Sequence, residues 1–190
     1  LMKTKAIYFL FFLSFNSLFA QNLALQKITT TSSVRGNNQG AFAVDGNQST
    51  RWESDWNDPQ FLTVDLGSTY TLNRVEIDWE TAYATYYQIQ LSDNQQQWTT
   101  ASNITGSDGG TDVIDLNGAT ARYVRMYGTQ RTTIGGAQYG YSIFEFEVYG
   151  EVATNNASLS NIFLDGVALA AFSSNQYTYD HLLPPGVSSI

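Results

Sequence analysis

Between residues 22 and 150 apolar side chains recur at every second position in short runs. Val75, Ile77 and Trp79 alternate with Glu76, Asp78 and Glu80, and similar alternation marks 61–66, 86–92, 122–127 and 143–149. Successive side chains of a strand point to opposite faces, so a period of two buries one face and wets the other. Clusters of Gly, Asn and Asp separate the runs at the spacing of a sandwich, and no pattern of helical period persists beyond a turn. The pattern predicts an all-β fold, a β-sandwich with long loops at one end. Three polar, aromatic-rich loops interrupt the strands at 51–59, 80–85 and 129–141.

The ends follow other patterns. Met2, Lys3 and Lys5 precede an apolar stretch over 6–19 that ends near Ala20 and Gln21, the layout of a secretory signal peptide. Ser14, Asn16 and Ser17 interrupt that stretch, which falls short of the ~20 residues of a spanning helix. The expectation is export, with residues 1–20 removed near Ala20 and the product extracellular or on the cell surface. Residues 151–158 read as a small polar linker. Beyond it, Ile162, Leu164, Val167 and Leu169 are spaced as short strands around a turn at Asp165 and Gly166. Residues 159–190 are too few to bury a core alone, so they read as a truncated β unit. Leu1 ahead of Met2, and the stop at Ile190 inside that unit, fit a piece of a longer reading frame.

Charge narrows the partners. The chain carries 9 basic and 17 acidic residues, a net charge of −8 that becomes −10 once Lys3 and Lys5 leave. That is the wrong sign for phosphate backbones or anionic headgroups, so neither nucleic acid nor membrane insertion is expected. With no Cys there is no disulfide framework, and stability has to come from a core or from bound metal. The single histidine, His181, lies outside 22–150, so that unit has neither a zinc site nor a Ser-His-Asp constellation.

Motifs then accumulate in order: ALQK from Ala24, AVDGNQSTRW from Ala43, VDLG from Val64, WTT from Trp98, ARYVRM from Ala121 and the closing FEFEVYG from Phe144. Together they resemble the F5/8 type C, discoidin-like family across the whole of 22–150. Bacterial members are mostly carbohydrate-binding modules appended to glycoside hydrolases and polysaccharide lyases. The GYSIFEFEVYG ending and the IDWE strand are similar to the subset on enzymes acting on glucans and chitosan. Residues 159–190 resemble the first strands of cadherin-like β-sandwich repeats that act as spacers in secreted bacterial enzymes.

Asp45, Gly46, Asn47 and Thr50 form a compact loop of oxygen donors, which suits calcium, although an Asp-Gly turn closed by its own hydrogen bonds would use the same residues without a metal. The resemblance implies a structural calcium ion held by Phe42, Asp45, Asn47, Thr50, Phe144 and Glu145, the aromatic residues contributing backbone carbonyls.

Sugar recognition needs a flat apolar face and fixed polar groups around it. Trp56, between Asp55 and Asn57, is placed for that task, whereas Trp52, Trp79 and Trp98 follow strands and read as core. In galactose-binding relatives the positions of Glu53 and Glu80 usually carry His and Arg. Carboxylates there favour a neutral glucan or a cationic amino sugar, with Arg51 as counter-charge, and Tyr83, Tyr139 and Tyr141 as further walls. The expected site is therefore Arg51, Glu53, Trp56, Glu80, Tyr83, Tyr139 and Tyr141. Solvated acids contributing only solubility, and half-buried tyrosines, remain open alternatives. A glycosidase pair drawn from Glu53, Asp55, Asp58 and Glu80 is the rival chemistry, which nothing in the sequence requires. The reading is a monomeric, non-catalytic module of a secreted enzyme that binds a β-glucan or chitosan-type polysaccharide. Its alternative is a cell-surface adhesion or glycan-attachment protein without an associated enzyme.

Overall fold

A computed structural model describes residues 21–153 and, beyond them, the strand pair Phe163–Leu164 and Val167–Ala168. The segment 1–20, expected to be a signal peptide, lies outside the described residues, as does most of the expected linker and cadherin-like segment.

Seven strands build the first unit, which runs through Ala153: β1 (Ile28–Thr31), β2 (Trp52–Glu53), β3 (Gln60–Trp79), β4 (Ala84–Ser92), β5 (Thr99–Thr105), β6 (Thr111–Arg131) and β7 (Ser142–Val152). All pairings are antiparallel, in the order β2-β7-β3-β6-β4-β5, with β1 added to β3. β3 and β6 are long because each runs through both layers of a sandwich. The first part of β3 pairs with β1 and the end of β6, whereas the second pairs with β7 and the start of β6. The register shifts between Asp65 and Tyr70, where Gly67 takes a φ of +89° that other residues resist, and such an irregularity lets a strand turn from one layer into the other.

The alternation read from the sequence faces inward as expected. Leu62, Val64, Val75, Ile77, Ile89, Val124, Met126, Phe146 and Val148 are fully buried in one apolar cluster. Each such side chain contributes about 1.5–3 kcal/mol relative to exposure. Trp52 and Trp79 are buried with them, while Trp98 is half-buried beneath the Arg125 guanidinium, 3.8 Å from its ring centroid. Asp112 ties the layers: one carboxylate oxygen accepts from Trp79 Nε1 (2.8 Å), the Tyr87 hydroxyl (2.7 Å) and the Ser107 hydroxyl (2.8 Å).

β7 runs to Val152, two residues into the expected linker. In the second unit, Thr154–Ile190, the described pair β8 (Phe163–Leu164) and β9 (Val167–Ala168) is antiparallel, with Leu164 opposite Val167. That pairing brackets the expected Asp165-Gly166 turn, itself outside the described residues.

Candidate functional site

The oxygen-rich loop follows a 3₁₀ segment, Gly40–Val44, which carries Phe42 three residues before Asp45. Thr50 Oγ1 donates toward both Asp45 carboxylate oxygens (3.0 and 2.8 Å) and approaches the Asn47 carbonyl at 2.8 Å. The Asn47 amide donates to Asp45 Oδ1 at 2.9 Å and to Glu145 Oε1 at 2.8 Å, so the loop and the last strand meet there. The Asn47 side-chain oxygen accepts the Ser49 amide (3.1 Å), and the Asn47 backbone carbonyl accepts the Thr50 amide (3.0 Å) as well as the Thr50 hydroxyl. Phe144 sits at a bulge: β3 pairs Asp78 with Glu145 and Trp79 with Ile143, so Phe144 has no opposite number. Such a residue has its carbonyl outside the ladder. Glu145 is 3% exposed, and its Oε2 is buried without a protein partner. Burial, together with the neighbouring Asp45 carboxylate and despite the Asn47 amide, pushes its acid up to about 7. Two adjoining carboxylates, one with an unpartnered oxygen, amid hydroxyl and carbonyl oxygens form a donor set that fits calcium. Among the described residues no group of three or more His, Cys, Asp or Glu side chains could hold a metal, so such a site depends on backbone and hydroxyl oxygens.

Directly after Thr50 the chain enters a cleft of about 330 Å³ lined by Arg51, Glu53, Glu80, Thr81, Ala82, Ile134, Tyr139 and Ser142. Four of the seven expected sugar residues thus converge. Glu53 is surrounded by donors: Asn38 Nδ2 (2.8 Å) and Arg51 Nη2 (3.2 Å) on one oxygen, Trp56 Nε1 (3.4 Å) on the other, with Arg35 Nε at 3.8 Å. It organises the wall. Glu80 accepts the Thr81 hydroxyl (2.7 Å) and the Ala82 amide (3.0 Å). Burial alone would raise its acid, yet those bonds, the Thr81 amide and the charge of Arg51 hold it below the ordinary glutamate value. An ionised carboxylate with spare acceptor capacity at the cleft suits a cation or a hydroxyl.

One expectation needs correction, and two are refined. Tyr141 is 0% exposed: its ring fills the space that a side chain at Gly128 would occupy, and its hydroxyl donates to Asp58. It is core and does not line the cleft. Tyr83 is half-buried, packed on the core with Gly109 against its ring, and lies outside the lining as well. Trp56 is exposed as expected (44%), but it is not in the lining either. One face lies under Arg35, 3.9 Å from the ring centroid, and it meets Tyr139 edge-on, with centroids 5.0 Å apart at 80°. Tyr139, 38% exposed, is the aromatic that faces the cleft.

Arg35, Asn38, Thr81, Ala82, Ile134 and Ser142 were invisible to motif reading. Arg35 and Asn38 are brought to Glu53 by the turn ahead of β2, where the Arg35 amide donates to the Glu53 carbonyl (2.8 Å) and the Glu53 amide to the Asn38 carbonyl (3.1 Å). Ile134 is carried by a tight turn closed by paired bonds to Ala137, through Gly135 and Gly136 at φ of +58° and +87°. That two-glycine turn was the one local signal available.

Known proteins align with this fold. Residues 42–126 match the F5/8 type C family described as NedA-like, galactose-binding domain. Chitosan-binding module 1 of a Paenibacillus sp. IK-5 chitosanase/glucanase is 47% identical, over 68% of this chain and 99% of that one, with a TM-score of 0.64. Chitosan-binding module 2 of the same enzyme, solved with chitotriose, is 45% identical over 68% of this chain and 100% of that one, also at 0.64. A polysaccharide lyase 8 family protein of Enterococcus faecalis is 30% identical over 142 residues, 67% of this chain, and the chain spans 10% of that relative's length. By fold, by motif and by near-complete overlap with solved modules, the chain belongs to the F5/8 type C, discoidin-like family of carbohydrate-binding domains.

Proposed function

We propose that the domain binds β-linked glucosamine polymers of the chitosan type, as the non-catalytic module of a secreted polysaccharide-degrading enzyme. The observation that carries this reading is the pairing of an exposed Tyr139 with an ionised, under-coordinated Glu80 across one cleft. A tyrosine ring offers its face to the C–H side of a pyranose, and Glu80 accepts from the sugar ammonium. The likeness to the two Paenibacillus modules supports the same ligand class.

One ring stacked on one sugar supports affinity only in the range of roughly 0.1–1 mM, so retention on a polymer relies on tethering and repeated engagement. Affinity electrophoresis in gels containing chitosan or a neutral β-glucan tests the reading. Glu80→Gln should abolish retardation by chitosan, and wild-type binding should weaken with salt. Equal retardation by the neutral glucan, or no effect of Glu80→Gln, would count against an amino-sugar ligand.

Calcium belongs to the same proposal as a structural ion. Asp45 and Glu145 would supply carboxylates, Thr50 its hydroxyl and carbonyl, and Phe42, Asn47 and Phe144 their carbonyls. Bound there, it would neutralise the paired acids and join the early loop to the last strand. Export through the leader, and the enzyme beyond the module, complete the reading.

A further inference from the structure

The cleft's aromatic wall hangs on a loop, 132–140, that has little core of its own. What fixes it is Arg131 at the end of β6, whose side chain is only 11% exposed. Its Nη1 donates to the carbonyls of Gln138 (3.3 Å) and Tyr139 (3.4 Å), and its Nε donates to Asp58 Oδ2 (3.1 Å). Asp58 accepts the buried Tyr141 hydroxyl through its other oxygen. Tyr141 and Ser54 close the second side: the Ser54 amide donates to the Tyr141 carbonyl and the Tyr141 amide to Ser54 Oγ, both at 2.9 Å. One guanidinium therefore fastens the Tyr139 backbone to the loop that bears Trp56.

We propose that Arg131 is a positioning residue for the glycan platform, acting through the Tyr139 carbonyl. The inference rests on the cleft being the sugar site. Arg131 is outside the lining, and its donors are engaged by Gln138, Tyr139 and Asp58. A planar fork is pre-organised to hold two carbonyls and a carboxylate at once, whereas an ammonium on a flexible stem loses more freedom to do so. Without the fork the loop would have to be ordered on binding, and the ligand would meet the entropy of immobilising it.

The test compares Arg131→Lys, Asp58→Asn and Tyr139→Ala in the full chain, with a soluble chitosan oligosaccharide as probe. Affinity is read by calorimetry, and the Tyr139 and Trp56 ring resonances by NMR, because edge-on rings 5.0 Å apart shift one another's protons. Arg131→Lys is expected to weaken binding about tenfold, while the ring-current shifts collapse and the melting midpoint moves little. Unchanged affinity, or weakened affinity with the ring-current shifts intact, overturns the proposal. Should Arg131→Lys fail to fold, Asp58→Asn gives the same reading, since it loosens the anchor and keeps the guanidinium. If Tyr139→Ala itself leaves binding unchanged, the cleft is not the sugar site, and the failure lies with that reading and not with the clamp.

Discussion

Glu145→Gln separates the proposed metal role of this carboxylate from its folding role by the sign of its effect. In the calcium-free module Glu145 is buried beside Asp45, and its acid is pushed up to about 7 from an ordinary 4.5, with burial the largest cause. At ~1.4 kcal/mol for each decade of proton affinity, that gap corresponds to roughly 3 kcal/mol. The folded form holds the proton more tightly than the unfolded chain. Its stabilising effect is therefore complete below about pH 4.5 and is lost as the pH rises through about 7. With EDTA at pH 8, Glu145→Gln should accordingly be more stable than wild type. For a domain of this size 3 kcal/mol is a rise of roughly 10 °C. With calcium the order reverses. An ion at a thousand times its Kd stabilises by ~4 kcal/mol, which the wild type gains and the variant, lacking one ligand, largely forgoes. Thermal melts of both proteins in EDTA and in millimolar calcium, at pH 5 and pH 8, measure all of this. Two results would refute it: a wild-type midpoint indifferent to EDTA at pH 8, or a variant that melts below wild type in EDTA at that pH.

Tyr139→Ala should abolish chitosan retardation with little change in melting midpoint, whereas Trp56→Ala should weaken binding only several-fold, because Trp56 acts by backing Tyr139; the reverse order would put the platform on Trp56. Binding should persist while Glu80 stays ionised, down past the ordinary glutamate range since its acid is held low, and should fall on the alkaline side as the sugar amine loses its proton; a titration of affinity against pH checks both limbs. Asp112→Ala should lower the melting midpoint strongly, because it strands three donors at about 1–3 kcal/mol each, and calorimetric unfolding measures the loss. Gly140→Ala should cost both stability and binding, since its new carbon would lie 2.1 Å from the Ser54 carbonyl oxygen; a folded, sugar-binding variant would show that the loop yields.

The β character, the strands and the core were legible in the sequence because alternation of period two is a local property: Val75, Ile77 and Trp79 face inward wherever the strand lies. The AVDGNQST loop was legible for the same reason, its donors being close together in the chain. Which aromatic lines the cleft was not legible. Trp56 and Tyr139 sit in equally polar loops, Tyr141 is two residues from Tyr139, and only the packing of 132–141 against Ser54 and Asp58 buries one tyrosine and presents the other. The same holds for Arg35, Asn38 and Arg131, whose partners lie 7 to 73 residues away. The sequence alone determined the sandwich and its oxygen-rich loop, because burial periodicity and local donor chemistry act over a few residues. Only the tertiary structure decided the cleft proposed as the sugar face, because that cleft is made where loops distant in the chain compete for the same carboxylates and the same space.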